Sequence, residues 1–257
     1  MNREIRKVSI VVILVFTILS TVAANTIIKE EREISDINRL DFNTPGLLIL
    51  IQGDTESLII EGDKDVIENI ETKIESRTLI IKSKDWTLWD KFGKESRIKF
   101  ILTIKEINEI NLSGSGDIQS SDIKTENLEL NINGSGDVDI ETASATFIFL
   151  NIRGSGDVTI ENITVDELEG NISGSGEIEV GGKAGIQRIA ISGSGDYQSA
   201  KLETNKTLVK ISGSGDSIVQ AIEDLDVKIS GSGDVDYYES PKVTQKITGS
   251  GDLRSRE

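Results

Sequence analysis

Hydrophobic and polar residues alternate with a period of two around one short phrase, Gly-Ser-Gly followed by an acid. The residue two positions before each phrase is apolar in all eight copies: Leu112, Ile132, Ile152, Ile172, Ile191, Ile211, Ile229 and Ile247. Polar residues such as Asn131 separate it from another mostly apolar position, and the alternation resumes afterwards at Val138 and Ile140. This pattern predicts strands with one buried face on both sides of each phrase.

The phrase recurs at a nearly constant interval of roughly 20 residues, which shortens slightly over the last two intervals. A constant period of this length indicates one structural unit that stacks on its own copies. We therefore predict an all-β fold, a right-handed parallel β-helix or solenoid with about 18–20 residues per coil and irregular N-terminal capping coils. A third buried column is expected nine residues after the first glycine, at Ile123, Ile163, Leu202 and Ile222.

The glycines of the phrase have a structural interpretation. A sharp corner commonly needs positive φ or a close approach to the neighbouring coil, and glycine permits both. The predicted corner residues are Gly114, Gly116, Gly134, Gly136, Gly154, Gly156, Gly174, Gly176, Gly193, Gly195, Gly213, Gly215, Gly231, Gly233, Gly249 and Gly251.

Residues 25–111 precede the regular phrase and are interpreted as irregular N-terminal coils that form a cap. Apolar residues predict strands around 47–51, 58–60 and 79–81, and helical spacing from Asp65 to Ile74 predicts one short helix. Residues 112–257 form the regular solenoid, continuous with the cap as one domain.

Residues 1–24 have the pattern of a secretory signal peptide. Arg3, Arg6 and Lys7 precede an apolar run from Val8 to Leu19, and small residues follow at 22–24. An uncleaved N-terminal membrane anchor is the alternative. The chain contains no cysteine, which excludes disulfides and a lipid-modified cysteine. We expect an exported protein in the periplasm, at the cell surface or outside the cell.

Acidic residues dominate the charge, which is −16 for the whole chain. Removing the first 24 residues, which carry a net +2, leaves −18. Such a surface repels phosphate backbones, so nucleic acid is not an expected partner.

An ordered set of motifs carries a family resemblance. Arg-Glu-Ile-Ser-Asp-Ile at 32–37, Leu-Ile-Ile-Glu-Gly-Asp at 58–63, Arg-Thr-Leu-Ile-Ile-Lys at 77–82 and Ile-Lys-Phe-Ile-Leu-Thr at 98–103 precede the Gly-Ser-Gly-Asp corners. Over residues 30–257 the chain resembles the bacterial and archaeal autotransporter adhesin, head GIN domain family. The resemblance implies an exported right-handed β-helix, related in shape to pectin lyases without their catalytic residues, and a role in cell adhesion.

Catalytic chemistry has little support in the composition. The chain has neither histidine nor cysteine, which excludes Ser-His and Cys-His nucleophiles and the usual zinc sites. Its carboxylates are repeated, whereas acid–base catalysis needs a few groups in different environments. We expect no enzyme; a pectin-lyase-like polysaccharide-processing enzyme is the alternative.

The acids that follow the corners form a candidate cation site. They fall in one column, at Asp117, Asp137, Asp157, Glu177, Asp196, Asp216, Asp234 and Asp252, with second acids at Asp139, Glu179 and Asp236. Oxygen ligands suit calcium, although the known calcium solenoid motif has another spacing. The alternative is that backbone amides of the turns bind these carboxylates, as in Asx turns. We expect no cofactor, with calcium as the weaker hypothesis.

Two tryptophans lie close together in the cap, and Trp86, Trp89 and Phe92 are candidate binding residues. They could form an aromatic platform for a sugar, a partner or a membrane interface, or a hairpin packed on the capping coils. The function expected from the whole sequence is an exported, non-enzymatic solenoid that binds cell-surface or matrix components, including glycans, through faces with repeated polar residues such as Asn111, Asn131, Asn151 and Asn171. An envelope scaffold with calcium-stabilised corners is a further alternative.

Overall fold

The computed structural model describes residues 27–87 and 98–256, and this part of the chain is nearly all β-structure. One short helix, α1, spans Lys64–Glu68. The strands are β1 Ile27–Arg32, β2 Arg39–Asn43, β3 Leu47–Gln52, β4 Ser57–Asp63, β5 Ile70–Glu75, β6 Thr78–Ser83, β7 Lys99–Ile104, β8 Glu109–Gly114, β9 Asp117–Lys124, β10 Asn127–Gly134, β11 Val138–Gly154, β12 Val158–Gly174, β13 Glu177–Gly193, β14 Asp196–Gly213, β15 Ser217–Gln220, β16 Asp224–Gly231, β17 Val235–Tyr238, β18 Lys242–Gly249 and β19 Leu253–Ser255.

From β8 onward the strands stack in parallel as a β-solenoid of about seven turns, which confirms the predicted fold. Each strand pairs with its copies one coil before and after; Ile132, for example, is in register with Leu112 and Ile152. The apolar columns point inward and are buried together in one continuous core. Burial of these columns along the whole axis is the main source of stability, since hydrophobic stabilisation grows with the apolar area removed from water.

The predicted burial of one member of the third column, Ile222, is wrong. Ile123, Ile163 and Leu202 are buried as predicted, but Ile222 is 42% exposed. Its neighbour Ala221 is the fully buried residue. The repeat is shorter in this coil than in the earlier ones, so the inward position comes one residue sooner after the corner.

The corners bring neighbouring backbones unusually close. Gly154 has φ +141°, and a Cβ at this position would overlap the backbone of Gly134 in the preceding coil. Gly156 is also constrained, because its Cβ would overlap the carbonyl oxygen of Gly136. The same pair of constraints recurs along the solenoid, so the two glycines of a phrase serve different needs: the first needs positive φ and space, and the second needs space.

The first coils are irregular, and their spatial order differs from their order in the chain. β2 lies between β6 and β8, and β3 lies between β7 and β9, all in parallel. The turn at residues 44–46, Thr-Pro-Gly, therefore takes the place of a Gly-Ser-Gly corner. Antiparallel strands β1, β4 and β5 complete this end of the solenoid.

The structure confirms a helix in the predicted segment from Asp65 to Ile74, but the helix is shorter than predicted. α1 ends at Glu68, and Ile70 and Ile74 belong to β5. A helix and a strand would both place these isoleucines on the inward side, so their spacing fits either structure. Antiparallel pairing of β5 with β6 makes this segment a strand. No helix in the described ranges is long and apolar enough to span a membrane. The predicted signal segment lies outside these ranges.

A polar cluster interrupts the aliphatic interior in the C-terminal coils. The ring of the fully buried Tyr197 occupies the space that Gly170 leaves in its column. Its hydroxyl accepts a hydrogen bond from Nε2 of Gln187 at 3.1 Å, and Thr207 donates to the other end of this amide. Burial raises the pKa of the Tyr197 phenol, so the ring stays neutral. These bonds satisfy polar groups that would otherwise be costly inside the core.

Candidate functional site

The acidic column lies along one corner of the solenoid, and its carboxylates bind backbone amides. The N–H of Asp157 donates to Oδ1 of Asp137 at 2.9 Å, and the N–H of Glu177 donates to Oδ1 of Asp157 at 2.8 Å. The same bond links Asp196 to Asp216, and later rungs continue to Asp252. The amide therefore comes from the next coil, one repeat away, rather than from the same turn as in an Asx turn. This arrangement offsets repulsion between stacked carboxylates.

Glu177 interrupts the series. Its side chain is one methylene longer than aspartate, and the N–H of Asp196 donates to the carbonyl of Gly176 at 3.1 Å instead. Desolvation, followed by the charges of Asp157, Asp196 and Glu179, raises the pKa of the Glu177 carboxyl. The pKa of Asp117, at the start of the column, is also raised by desolvation, although the amide of Asp137 opposes that effect.

Basic side chains form ion pairs with the acidic column and with the second acids beside it. Arg254 bridges two rungs, 2.9 Å from Asp234 and 2.8 Å from Asp252. In the second acidic column Asp236 pairs with Arg256, and Glu179 pairs with Lys201. Within residues 27–87 and 98–256 no three carboxylates come together in a group that could hold a metal ion.

Substitutions at Asp157 test this structural role. Asp157→Ala removes the acceptor of the Glu177 amide and is expected to lower the free energy of unfolding by about 1 kcal/mol. Asp157→Asn keeps an acceptor oxygen and is expected to preserve stability. Urea unfolding followed by circular dichroism measures both variants; equal losses would show that the charge, not the acceptor, matters.

The raised pKa of Glu177 predicts a pH dependence. The folded protein holds this proton more tightly than the unfolded chain, whose pKa lies near the ordinary value of 4.5. The stability contribution of this group is therefore present at low pH and is lost as pH rises through the raised folded pKa. Glu177→Gln should raise the free energy of unfolding by about 0.5 kcal/mol at neutral pH, and this gain should shrink near pH 4. Urea titrations at both pH values measure it. A constant gain would contradict the prediction.

The asparagine column on the flat face before the corners forms an amide ladder. Asn131 donates to Asn111 at 3.0 Å, and Asn151 donates to Asn131 at 2.9 Å. Asn151 is buried, and Asn171 turns to Glu169. These amides bind one another, so as a group they support the sheet more than they present free hydrogen-bonding groups to a partner.

The same column changes chemistry towards the C-terminal end. After Ala190 it continues as three exposed lysines, which we call the lysine ladder: Lys210, Lys228 and Lys246. The sequence signal was available, since each lysine stands three residues before a corner glycine. The repeat pattern does not reveal it, because asparagines occupy the same position in the earlier coils.

Besides a groove of about 290 Å³ at the acidic column, which Asp196, Asp216, Asp234 and Asp236 line, two grooves lie on the flat outer faces of the described residues. One, of about 440 Å³, crosses β3, β9, β11 and β12 and includes Gln119, Asp139, Glu141 and Glu161 in its walls. The other, of about 230 Å³, lies beside the lysine ladder over Ala190 and Leu208, with the cations Arg188, Lys210 and Lys228 and the acids Glu169 and Asp226 at its walls. This second groove exists because the side chain of Ala190 is small.

Trp86 is 47% exposed and lies at the end of the glycine column. Its Cη2 atom stands 3.8 Å from the position that a Cβ of Gly114 would take. Asn69 and the backbone of Asp85 hold the start of this segment through two 3.0 Å hydrogen bonds. Trp86 thus both contacts the fold and faces solvent. Trp89 and Phe92 lie outside the described residues.

The family assignment rests on the sequence as well as on this architecture. The family described as "Putative auto-transporter adhesin, head GIN domain" matches residues 37–150 and 144–241. The chain belongs to this family. A search of curated proteins finds no match.

Solved structures share the fold of this head GIN domain. A protein from Parabacteroides distasonis ATCC 8503, described as a "putative adhesin", has 21% identity and a TM-score of 0.83, covering 90% of this chain and 98% of its own. A "putative adhesin" from Parabacteroides merdae ATCC 43184 has 21% identity and a TM-score of 0.82, with 90% and 96% covered. A protein from P. distasonis described as a "Putative lipid binding protein" has 27% identity and a TM-score of 0.82, with 90% and 97% covered.

Proposed function

We propose that this head GIN domain protein is an exported, non-enzymatic binding protein that attaches to cell-surface or matrix components, including glycans. The observation that carries the proposal is the regular display of outward side chains, in register from coil to coil, on a chain of the adhesin family. Such a surface offers many weak, identical contacts along one axis, which suits a polymeric or repetitive partner.

The interior supports binding outside rather than within the solenoid. The inward columns are closely filled by side chains such as Leu130, Ile152 and Ile172, each at most 1% exposed. A partner would therefore contact the outer faces and corners. The name of the P. distasonis lipid binding protein adds lipid surfaces to the partners to be tested.

Export and binding are tested separately. Cell fractionation and protease accessibility on intact cells establish where the full-length chain resides, with a cytoplasmic location contradicting the proposal. The purified full-length chain is then tested on cells, matrix proteins, glycan arrays and vesicles. The proposal expects saturable binding to at least one surface and no change in size of the polysaccharides tested. Shortened polysaccharide products would favour an enzyme, and absence of binding on every surface would overturn an adhesive role.

A further inference from the structure

We propose that the lysine ladder and the groove beside it bind a linear acidic polysaccharide, one whose successive sugars carry carboxylate or sulfate groups. This inference deepens the proposed binding function by assigning it a site and a ligand class. It rests on three features of the face: stacked cations of which two have no carboxylate partner, a local excess of positive charge and a groove that can hold one sugar ring.

The lysines are stacked with little internal compensation. Lys210, Lys228 and Lys246 are in register on adjacent parallel strands, which places their backbones about 4.8 Å apart. Lys228 has a 3.4 Å ion pair with Asp226. Among the described residues no carboxylate lies within 4.0 Å of the amino group of Lys210 or Lys246. The acidic column binds amides of the fold, whereas in the lysine ladder the repulsion between like charges is offset by a carboxylate partner only at Lys228.

The surroundings of the ladder carry the opposite sign from the protein as a whole. The four strand segments that pair on this face span residues 186–193, 206–213, 224–231 and 242–249. Their outward positions hold six cations, Arg188, Lys206, Lys210, Lys228, Lys242 and Lys246, and two acids, Asp224 and Asp226. The adjoining segment of β12 adds Glu167 and Glu169, so the net charge of the face is +2 in a chain of −16. Local charge of this kind attracts an anionic ligand to one face even when the protein is acidic overall.

The groove supplies contacts that a bare charged surface lacks. Its floor contains Ala190 and Leu208, and its volume of about 230 Å³ is below the range of about 300–1,000 Å³ that is usual for drug-sized ligands. One sugar ring of a longer chain fits such a space, with an apolar ring face on Leu208. An anionic substituent of that ring lies within reach of Arg188, whose Nε atom donates to Glu167 at 2.6 Å.

A polysaccharide fits the face better than a membrane does. The cations form a narrow row along the axis, and the same face carries Glu109 and Glu129 in the coils nearer the N-terminus. A flat anionic membrane would meet those carboxylates as well, whereas a chain laid along the ladder would not need to. A regular row of cations also matches a polymer whose charges repeat along its length.

The test measures binding of the purified full-length chain to polygalacturonate and dextran sulfate, with neutral dextran as the uncharged control. The triple variant Lys210→Gln, Lys228→Gln, Lys246→Gln is expected to weaken binding to both polyanions about tenfold near 50 mM salt, and to reduce the slope of log affinity against log salt by roughly 2. The matched variant Lys99→Gln, Lys105→Gln, Lys124→Gln removes the same charge from exposed positions elsewhere and should leave binding unchanged.

Ala190→Leu separates a sugar site from a simple charge effect. It fills the groove without changing charge, and should weaken polygalacturonate binding while thermal unfolding stays unchanged. Equal losses in both triple variants, or unchanged binding in the ladder variant, would overturn the proposal. Loss of binding to anionic vesicles alone would assign the ladder to a lipid surface, and loss of self-association in sedimentation would assign it to a second copy of the chain; each would overturn it. If the ladder variant still attaches to cells as the unsubstituted chain does, this site fails while the adhesive function stands.

Discussion

Gly154→Ala is expected to lower the free energy of unfolding by at least about 3 kcal/mol, a loss in the upper range for a single substitution. The added Cβ meets two obstacles. The backbone at Gly154 has φ +141°, which L side chains rarely adopt, and the Cβ would overlap the backbone of Gly134. The preceding coil cannot move away, because the backbone at Gly134 is itself packed against Gly114 of the coil before it.

Gly156→Ala and Gly53→Ala separate the cost of the close backbone contact from the costs of positive φ and of losing a glycine. Gly156 has no positive φ but the same close approach, so a large loss there isolates the contact with Gly136. A Cβ on Gly53 would meet the Cγ2 atom of Thr103 at an ordinary 3.5 Å, so Gly53→Ala should change stability by less than about 1 kcal/mol. Urea unfolding provides the comparison. Similar losses at Gly53 and Gly154 would show that loss of glycine, not the crowded corner, causes the effect.

Removal of one complete coil should be tolerated, whereas removal of half a coil should abolish folding. Deleting residues 134–153 joins Asn133 to Gly154 and leaves every column in register, since β10, β11 and β12 are paired at equivalent positions. The shortened chain should unfold cooperatively with a modest loss, because solenoid stability is approximately a sum over neighbouring repeats. Circular dichroism and urea unfolding measure the result.

Deleting only residues 134–143 gives the opposite outcome. The chain would then pass from Asn133 to Ser144, and a corner would be replaced by the middle of a strand. Inward residues after the junction could no longer face the columns of the preceding coil, and this half of the solenoid would lose its core. Comparable far-ultraviolet spectra and unfolding midpoints for the two deletions would contradict the register described above.

The sequence was sufficient for the regular coils because each unit repeats the same local information. The column of Ile132 and its equivalents, and the glycines of the corners, recur eight times and specify both strand and turn. Ile222 was misplaced where the repeat shortens, since the phase of the alternation changes there. Helical spacing around Ile70 was also misleading, because pairing with a distant strand outweighed local propensity.

The arrangement of the cap was not predictable from spacing. Nothing near Thr44 resembles the Gly-Ser-Gly phrase, yet residues 44–46 form the corner of a coil that lies between two later ones. The acidic column was recognised, but the origin of its amide donors required the stacking register. The lysine ladder is similar: its three members are far apart in the chain, and only parallel pairing brings them together.

The insertion of β2 and β3 between later coils has a consequence for the order of assembly. A chain synthesised from its N-terminus presents β2 and β3 early, but their partners β8 and β9 emerge only after the whole of β4 to β7. Stacking therefore cannot grow coil by coil from the leading end. The central coils, whose contacts join neighbouring repeats, are the earliest part able to form on their own, and the leading strands then close over them. Synthesis in this order thus leaves the N-terminal end of the solenoid open until β8 and β9 have emerged.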